Sequence, residues 1–159
     1  MDKNSAVISF LLQCPDIAAS PIYFNFVNAK DGDKQLVTVS EDVNVQRPYV
    51  DGSVQKRFQM TVIDYRSISD IPIVKLPTYL NENVDDFRDV QTLLDWIKTQ
   101  NKTGNYPDFG DKCVIDEMYT TTDNPILDQI DTTVTPALAR YRFTITINYL
   151  DETEAIWSN

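Results

Sequence analysis

Between residues 140 and 149 polar and apolar side chains alternate without a break. Tyr141, Phe143, Ile145, Ile147 and Tyr149 fall on one side, and Arg140, Arg142, Thr144, Thr146 and Asn148 on the other. Successive side chains of a strand point to opposite faces, so this stretch reads as a long strand with one face in a core. Its other face is wet or paired with something polar. Such alternation belongs to an antiparallel sheet covered on one side, and not to a doubly wound parallel sheet, whose strands are apolar on both faces.

The remaining elements fit that frame. Ser5 is placed to cap a first helix over residues 6–13, with Val7, Ile8, Leu11 and Leu12 at helical spacing and Pro15 as its stop. Residues 22–27 put Ile22, Phe24 and Phe26 on one face; the turn Asp31-Gly32-Asp33 and a second alternating run over 36–40 then suggest a β-hairpin. Residues 54–65 open after Asp51-Gly52-Ser53 and set Phe58, Met60 and Val62 against Arg57, Gln59 and Thr61, which predicts a long half-buried strand. After an irregular link bracketed by Pro72 and Pro77, Asn81 or Asn83 can cap a helix reaching Lys102 and stopped by Gly104. Its apolar stripe is Val84, Phe87, Val90, Leu94 and Ile97, and Asp85, Asp86 and Asp89 complement the dipole at its start. A further strand is expected over 112–120, with Cys113, Ile115, Glu117 and Tyr119 on one face and Val114, Asp116 and Met118 on the other. The predicted fold is therefore α+β: a mainly antiparallel sheet with an N-terminal helix and a long middle helix packed on one face. At 159 residues a single domain over 1–159 is expected.

Composition narrows the chemistry. The chain has no His, which removes imidazole bases and His-ligated metal sites from consideration. A formal net charge of -10 repels phosphate, so binding to nucleic acid through counterion release is not expected. The longest apolar stretch outside the last strand, 71–76, is broken by Pro72 and Lys75, far from the roughly 18–20 apolar residues that span a bilayer. The apolar segment at 6–12 runs into Gln13, Cys14, Pro15 and Asp16 and reads as a helix rather than a signal peptide. Cys14 and Cys113 are distant from each other and fit buried free thiols in a reducing compartment.

Motif-like stretches give little chemistry. Asp31, Asp33, Glu41 and Asp42 lie close together, but the glycine that a calcium loop needs at its sixth position is replaced by Leu36, which favours a turn. Asp108-Phe109-Gly110 has the letters of a kinase metal motif without its companions, and no glycine-rich phosphate loop is present. Asp116 and Glu117 are adjacent in a strand and point apart; pairing with Arg140 or Arg142 is the expected use for them. No catalytic constellation, cofactor site or metal site is expected, and the chain reads as a non-enzyme.

The unusual segment is 120–138, which links the last two strands. Hairpin links need two to five residues, and a longer one is functional or packed against something. From 113 to 139 there are five acids, Asp116, Glu117, Asp123, Asp128 and Asp131, and neither Lys nor Arg, yet Ile126, Leu127 and Ile130 lie among them. Two readings stand: a self-packed surface loop, or an extended arm that buries these three residues on a neighbouring copy and turns its acids to a channel or to solvent. Arg140 and Arg142 are then candidates for meeting acids of an adjacent subunit. Trp157, near the C-terminus, packs either on its own core or on a partner.

Several stretches resemble a family of small structural proteins from tail modules of phages and phage-like elements of Gram-positive bacteria, the tail terminator or tail-completion proteins. They are Pro21-Ile22-Tyr23-Phe24-Asn25-Phe26, Asp51-Gly52-Ser53-Val54, Asp95-Trp96-Ile97, Asn105-Tyr106-Pro107-Asp108-Phe109-Gly110, Asp123-Asn124-Pro125, Val134-Thr135-Pro136-Ala137-Leu138-Ala139 and Ile147-Asn148-Tyr149-Leu150-Asp151. The resemblance implies a hexameric ring that caps the tail tube, stops its polymerisation and offers a docking surface to the head connector. It implies as partners the chain itself, the tail tube protein and head-tail connector proteins, with DNA passing through the channel without specific binding. The expected location is the virion, after assembly in the host cytoplasm, with no membrane contact. A head-tail connector, neck or tail-tube subunit is the alternative, and a monomeric, non-catalytic binding module a more distant one.

Overall fold

The computed structural model describes residues 2–18, 20–38, 44–68 and 82–156. They form a mixed α+β fold around a seven-stranded, mainly antiparallel sheet. In chain order the elements are α1 (Lys3–Leu11), α2 (Pro15–Ala18), β1 (Ile22–Phe24), β2 (Lys34–Thr38), β3 (Asn44–Pro48), β4 (Val54–Ser67), α3 (Glu82–Thr103), β5 (Cys113–Thr120), β6 (Ile126–Asp131) and β7 (Leu138–Asp151). The main path across the sheet is β1-β2-β4-β7-β5; β3 lies on β4, and β6 on β7.

The alternating strand is the hub. β7 pairs with β4 over their full lengths, from Val54↔Asp151 to Ser67↔Leu138, and on its other side carries β5 along one half and β6 along the other. Tyr141, Phe143, Ile145, Ile147 and Tyr149 are all buried. Register sets Val62 opposite Phe143 and Met60 opposite Ile145 on the same face. Against that face pack Val7, Phe10 and Leu11 of α1 and Val90, Leu93, Leu94 and Ile97 of α3, all in one hydrophobic cluster. The Phe10 and Trp96 rings meet at 5.1 Å between the two helices. On the opposite face the polar side chains form a ladder across β4 and β7: Arg57 Nε donates to Asn148, Gln59 to Thr146, and the Thr61 and Thr144 hydroxyls share a hydrogen bond.

The most deeply buried charge on the helix-covered side is on β4. Asp64, facing Tyr141 in register, is fully buried and receives Lys34 Nζ at 3.2 Å and Arg66 Nε at 2.7 Å. Arg66 also reaches Asp86 and Asp89 of α3 at 3.8 and 3.5 Å. Burial pushes the Asp86 carboxyl above its ordinary range in spite of the pull of Arg66. The cluster ties β2, β4 and α3 together where the aliphatic core ends.

Several local expectations are corrected. Asp2, not Ser5, caps α1: its carboxylate accepts both the backbone N–H and the hydroxyl of Ser5. β1 and β2 are parallel, not a hairpin. Asn25, at φ 62°, turns the chain out of β1, and the Asp31-Gly32-Asp33 turn fastens to the end of β4 instead. There Gly32 N–H donates to the Tyr65 carbonyl, Tyr65 N–H to that of Asp33, and Ser67 N–H to the Asp31 carboxylate. Asn83 lies inside α3, while Asn81 and the Pro72–Pro77 link fall outside the described residues. In β5 the register shifts between Ile115 and Glu117, so Met118 turns into the core alongside Cys113 and Ile115 instead of opposing them. Phe109 of the Asp108-Phe109-Gly110 stretch is a packing residue, edge-on to Tyr149 at 5.2 Å and to Phe58 at 5.7 Å.

Candidate subunit interface

The 120–138 link is not free of its own sheet. Its middle is β6, antiparallel to the start of β7, with Ile126 opposite Arg142, Leu127 opposite Tyr141 and Ile130 opposite Ala139. Thr121 N–H donates to the Thr144 carbonyl, Gln91 of α3 donates to the Asp123 carbonyl, and Lys98 reaches the Asp123 carboxylate at 3.2 Å. On the far side of β6, the Asp131 carboxylate accepts the N–H and hydroxyl of Thr133 and is held below its ordinary range by those bonds.

The register of β6 slips between Leu127 and Gln129, leaving Asp128 at a bulge. Its carboxylate meets Arg142 Nε at 2.8 Å and Arg140 Nε at 3.8 Å. Both arginines therefore already have an acid within their own chain, because the bulge swings Asp128 onto them. Asp116 and Glu117 do not meet these arginines. Asp116 accepts from Gln55, and Glu117 from Asn148, because β5 lies along the other half of β7.

Pairing does not cover the apolar side chains of the link. Ile126 is 38% exposed, Leu127 46%, Ile130 46% and Val134 45%. Among the described residues, β6 has a strand partner on one side only. A solvated edge strand is commonly guarded by charges. Here Asp128 is neutralised inward, and apolar groups remain at the rim.

The opposite end of the sheet holds a second edge that sequence reasoning missed. β1 pairs only with β2 among the described residues, and Tyr23, Phe24 and Phe26 are 41%, 43% and 81% exposed. Their alternation looks like that of a half-buried hairpin strand. The available signal was the complete lack of charge from Ile22 through Val27. Trp157 lies outside the described residues. Among the described residues there is no group of three or more Cys, Asp or Glu that could hold a metal ion, and no helix long and apolar enough to cross a membrane.

No protein-family model matches the chain, and no curated protein matches its sequence.

Proposed function

We propose that this protein is a non-enzymatic structural component of a phage tail, a ring subunit that caps the end of the tail tube. In that role it stops tube polymerisation and offers a surface to the head connector. The observation that carries the reading is the rim of β6, where Ile126, Leu127 and Ile130 stand exposed on an edge strand. Contiguous apolar groups of this kind mark protein contacts. The distributed resemblance to tail terminator proteins supplies the kind of assembly.

Charge supports the same role. The formal net charge of -10 per chain gives a ring an acidic field that lets DNA pass without being held. Its partners are then further copies of itself, the tail tube protein and the connector, and its place is the virion after assembly in the host cytoplasm.

Capping is tested by adding the purified protein to tail-tube subunits as they polymerise and imaging the tubes by negative-stain electron microscopy. A terminator gives shorter tubes with extra density at one end. Incorporation along the tube would instead identify a tube subunit, and tubes unchanged in length and ends would contradict capping.

A further inference from the structure

Following the residue register across the sheet shows that the two exposed edges belong to one row. Tyr23 pairs with Gln35, Gln35 with Ile63, Ile63 with Arg142, and Arg142 with Ile126. The neighbouring row runs from Ile22 through Lys34, Asp64 and Tyr141 to Leu127. β1 and β6 are thus the two ends of the same five-strand cross-section.

The faces also match. Phe24 stands on the helix-covered side with Leu36, Val62 and Phe143, and Leu127 stands on that side with Tyr141. Tyr23 and Ile126 stand together on the other side. Each edge offers a partly exposed apolar residue above and below the sheet plane. Charge is complementary as well: residues 17–30 contain Lys30 and no acid, whereas the link carries Asp131, whose carboxylate is met by Thr133 and by no base among the described residues.

The geometry points to a head-to-tail contact in which the β1 edge of one copy of this chain seats against the β6 edge of the next. Phe24 and Tyr23 of one copy cover Leu127 and Ile126 of its neighbour, continuing the sheet from subunit to subunit. The contact is heterologous, joining two different patches, and such contacts close into rings when the rotation between copies allows it. This deepens the ring reading above and rests on it for closure.

The test is complementation between two edge variants of the full chain. Phe24→Asp disables the β1 edge and Leu127→Asp the β6 edge, each at a partly exposed position. In native mass spectrometry the wild type is expected as a closed oligomer and each variant as an 18.2 kDa monomer with the far-UV circular dichroism of the wild type. An equimolar mixture should give a heterodimer of twice that mass and nothing larger, because only one intact pair of edges remains. A monomeric wild type, either variant assembling alone, or a mixture that stays monomeric would overturn the contact.

A second test does not depend on disrupting anything. The double variant Tyr23→Cys/Ile126→Cys should form a ladder of covalent oligomers on mild oxidation, and each single variant no more than the wild type. No ladder in the double variant, or dimers from one single variant, would also overturn it. Edge complementation combined with tubes unaffected by the protein would sink tail capping and leave the contact standing.

Discussion

Asp64 shows what a single residue does in this fold. It is only 1% exposed, and the two cations that neutralise it come from β2 and from two residues further along its own strand. Removing one partner of a buried ion pair strands the remaining charges, so Asp64→Ala is expected to lose about 3–5 kcal/mol in urea denaturation. Arg88, paired with Asp85 at the surface, should lose no more than about 1 kcal/mol as Arg88→Ala in the same measurement. Asp151 carries a pH signature. Burial raises its carboxyl, but hydrogen bonds from Lys56 and Thr153 outweigh that and hold it at about 2. A carboxyl lowered by folding stabilises above its unfolded value of roughly 3.9 and loses that contribution as pH falls through the folded value. The stability difference between wild type and Asp151→Asn should therefore be full at pH 6 and vanish towards pH 2. Neither role was legible in the sequence, because Lys34 and Asp64 are 30 positions apart and only the β2–β4 register brings them together.

Among the elements, legibility followed periodicity. β7, β4 and α3 each repeat long enough to fix both type and buried face, and Leu94, predicted on the helix stripe, is fully buried. Leu94→Ala should cost about 2–5 kcal/mol by the same denaturation assay, through the cavity it leaves. β6 was invisible because Ile-Leu-Asp-Gln-Ile-Asp has no period of two, which its bulge explains: one extra residue shifts the faces midway. β1 misled for another reason, since strand pattern says nothing about direction. Two of the glycine turns separate backbone preference from crowding. Gly104, at φ 71°, has open space where a methyl group would sit, so Gly104→Ala should cost roughly 1–2 kcal/mol from its left-handed conformation alone. Gly52, at φ 92°, lies against the Glu154 carbonyl of the C-terminal segment. Gly52→Ala should exceed that range and loosen residues 152–156, seen as faster amide exchange at Ile156, whose N–H donates to Asp51.

At the scale of the whole molecule, the β1–β6 cross-section of the sheet has two ends, and exposed apolar side chains are found at both, as they also are at Tyr49 and Val50 in the β3–β4 turn and at Val114 on β5. The sequence marked one of the two ends, through Ile126, Leu127 and Ile130 amid acids. It marked the other only by the lack of charge from Ile22 through Val27, because Tyr23 and Phe24 are placed at an edge by the parallel pairing of β1 with β2. The long link also changed character. Deleting it would remove β6 and uncover the start of β7, so ring formation is better probed by single rim substitutions than by truncation. A ring built through these edges would place one protein layer at the end of a tube, which is what termination requires. The most direct measurement is electron microscopy of particles assembled without this protein. Tails of irregular and excessive length are predicted, restored to uniform length by the wild-type chain and not by Leu127→Asp. Tails of normal length without the protein would contradict a terminating role.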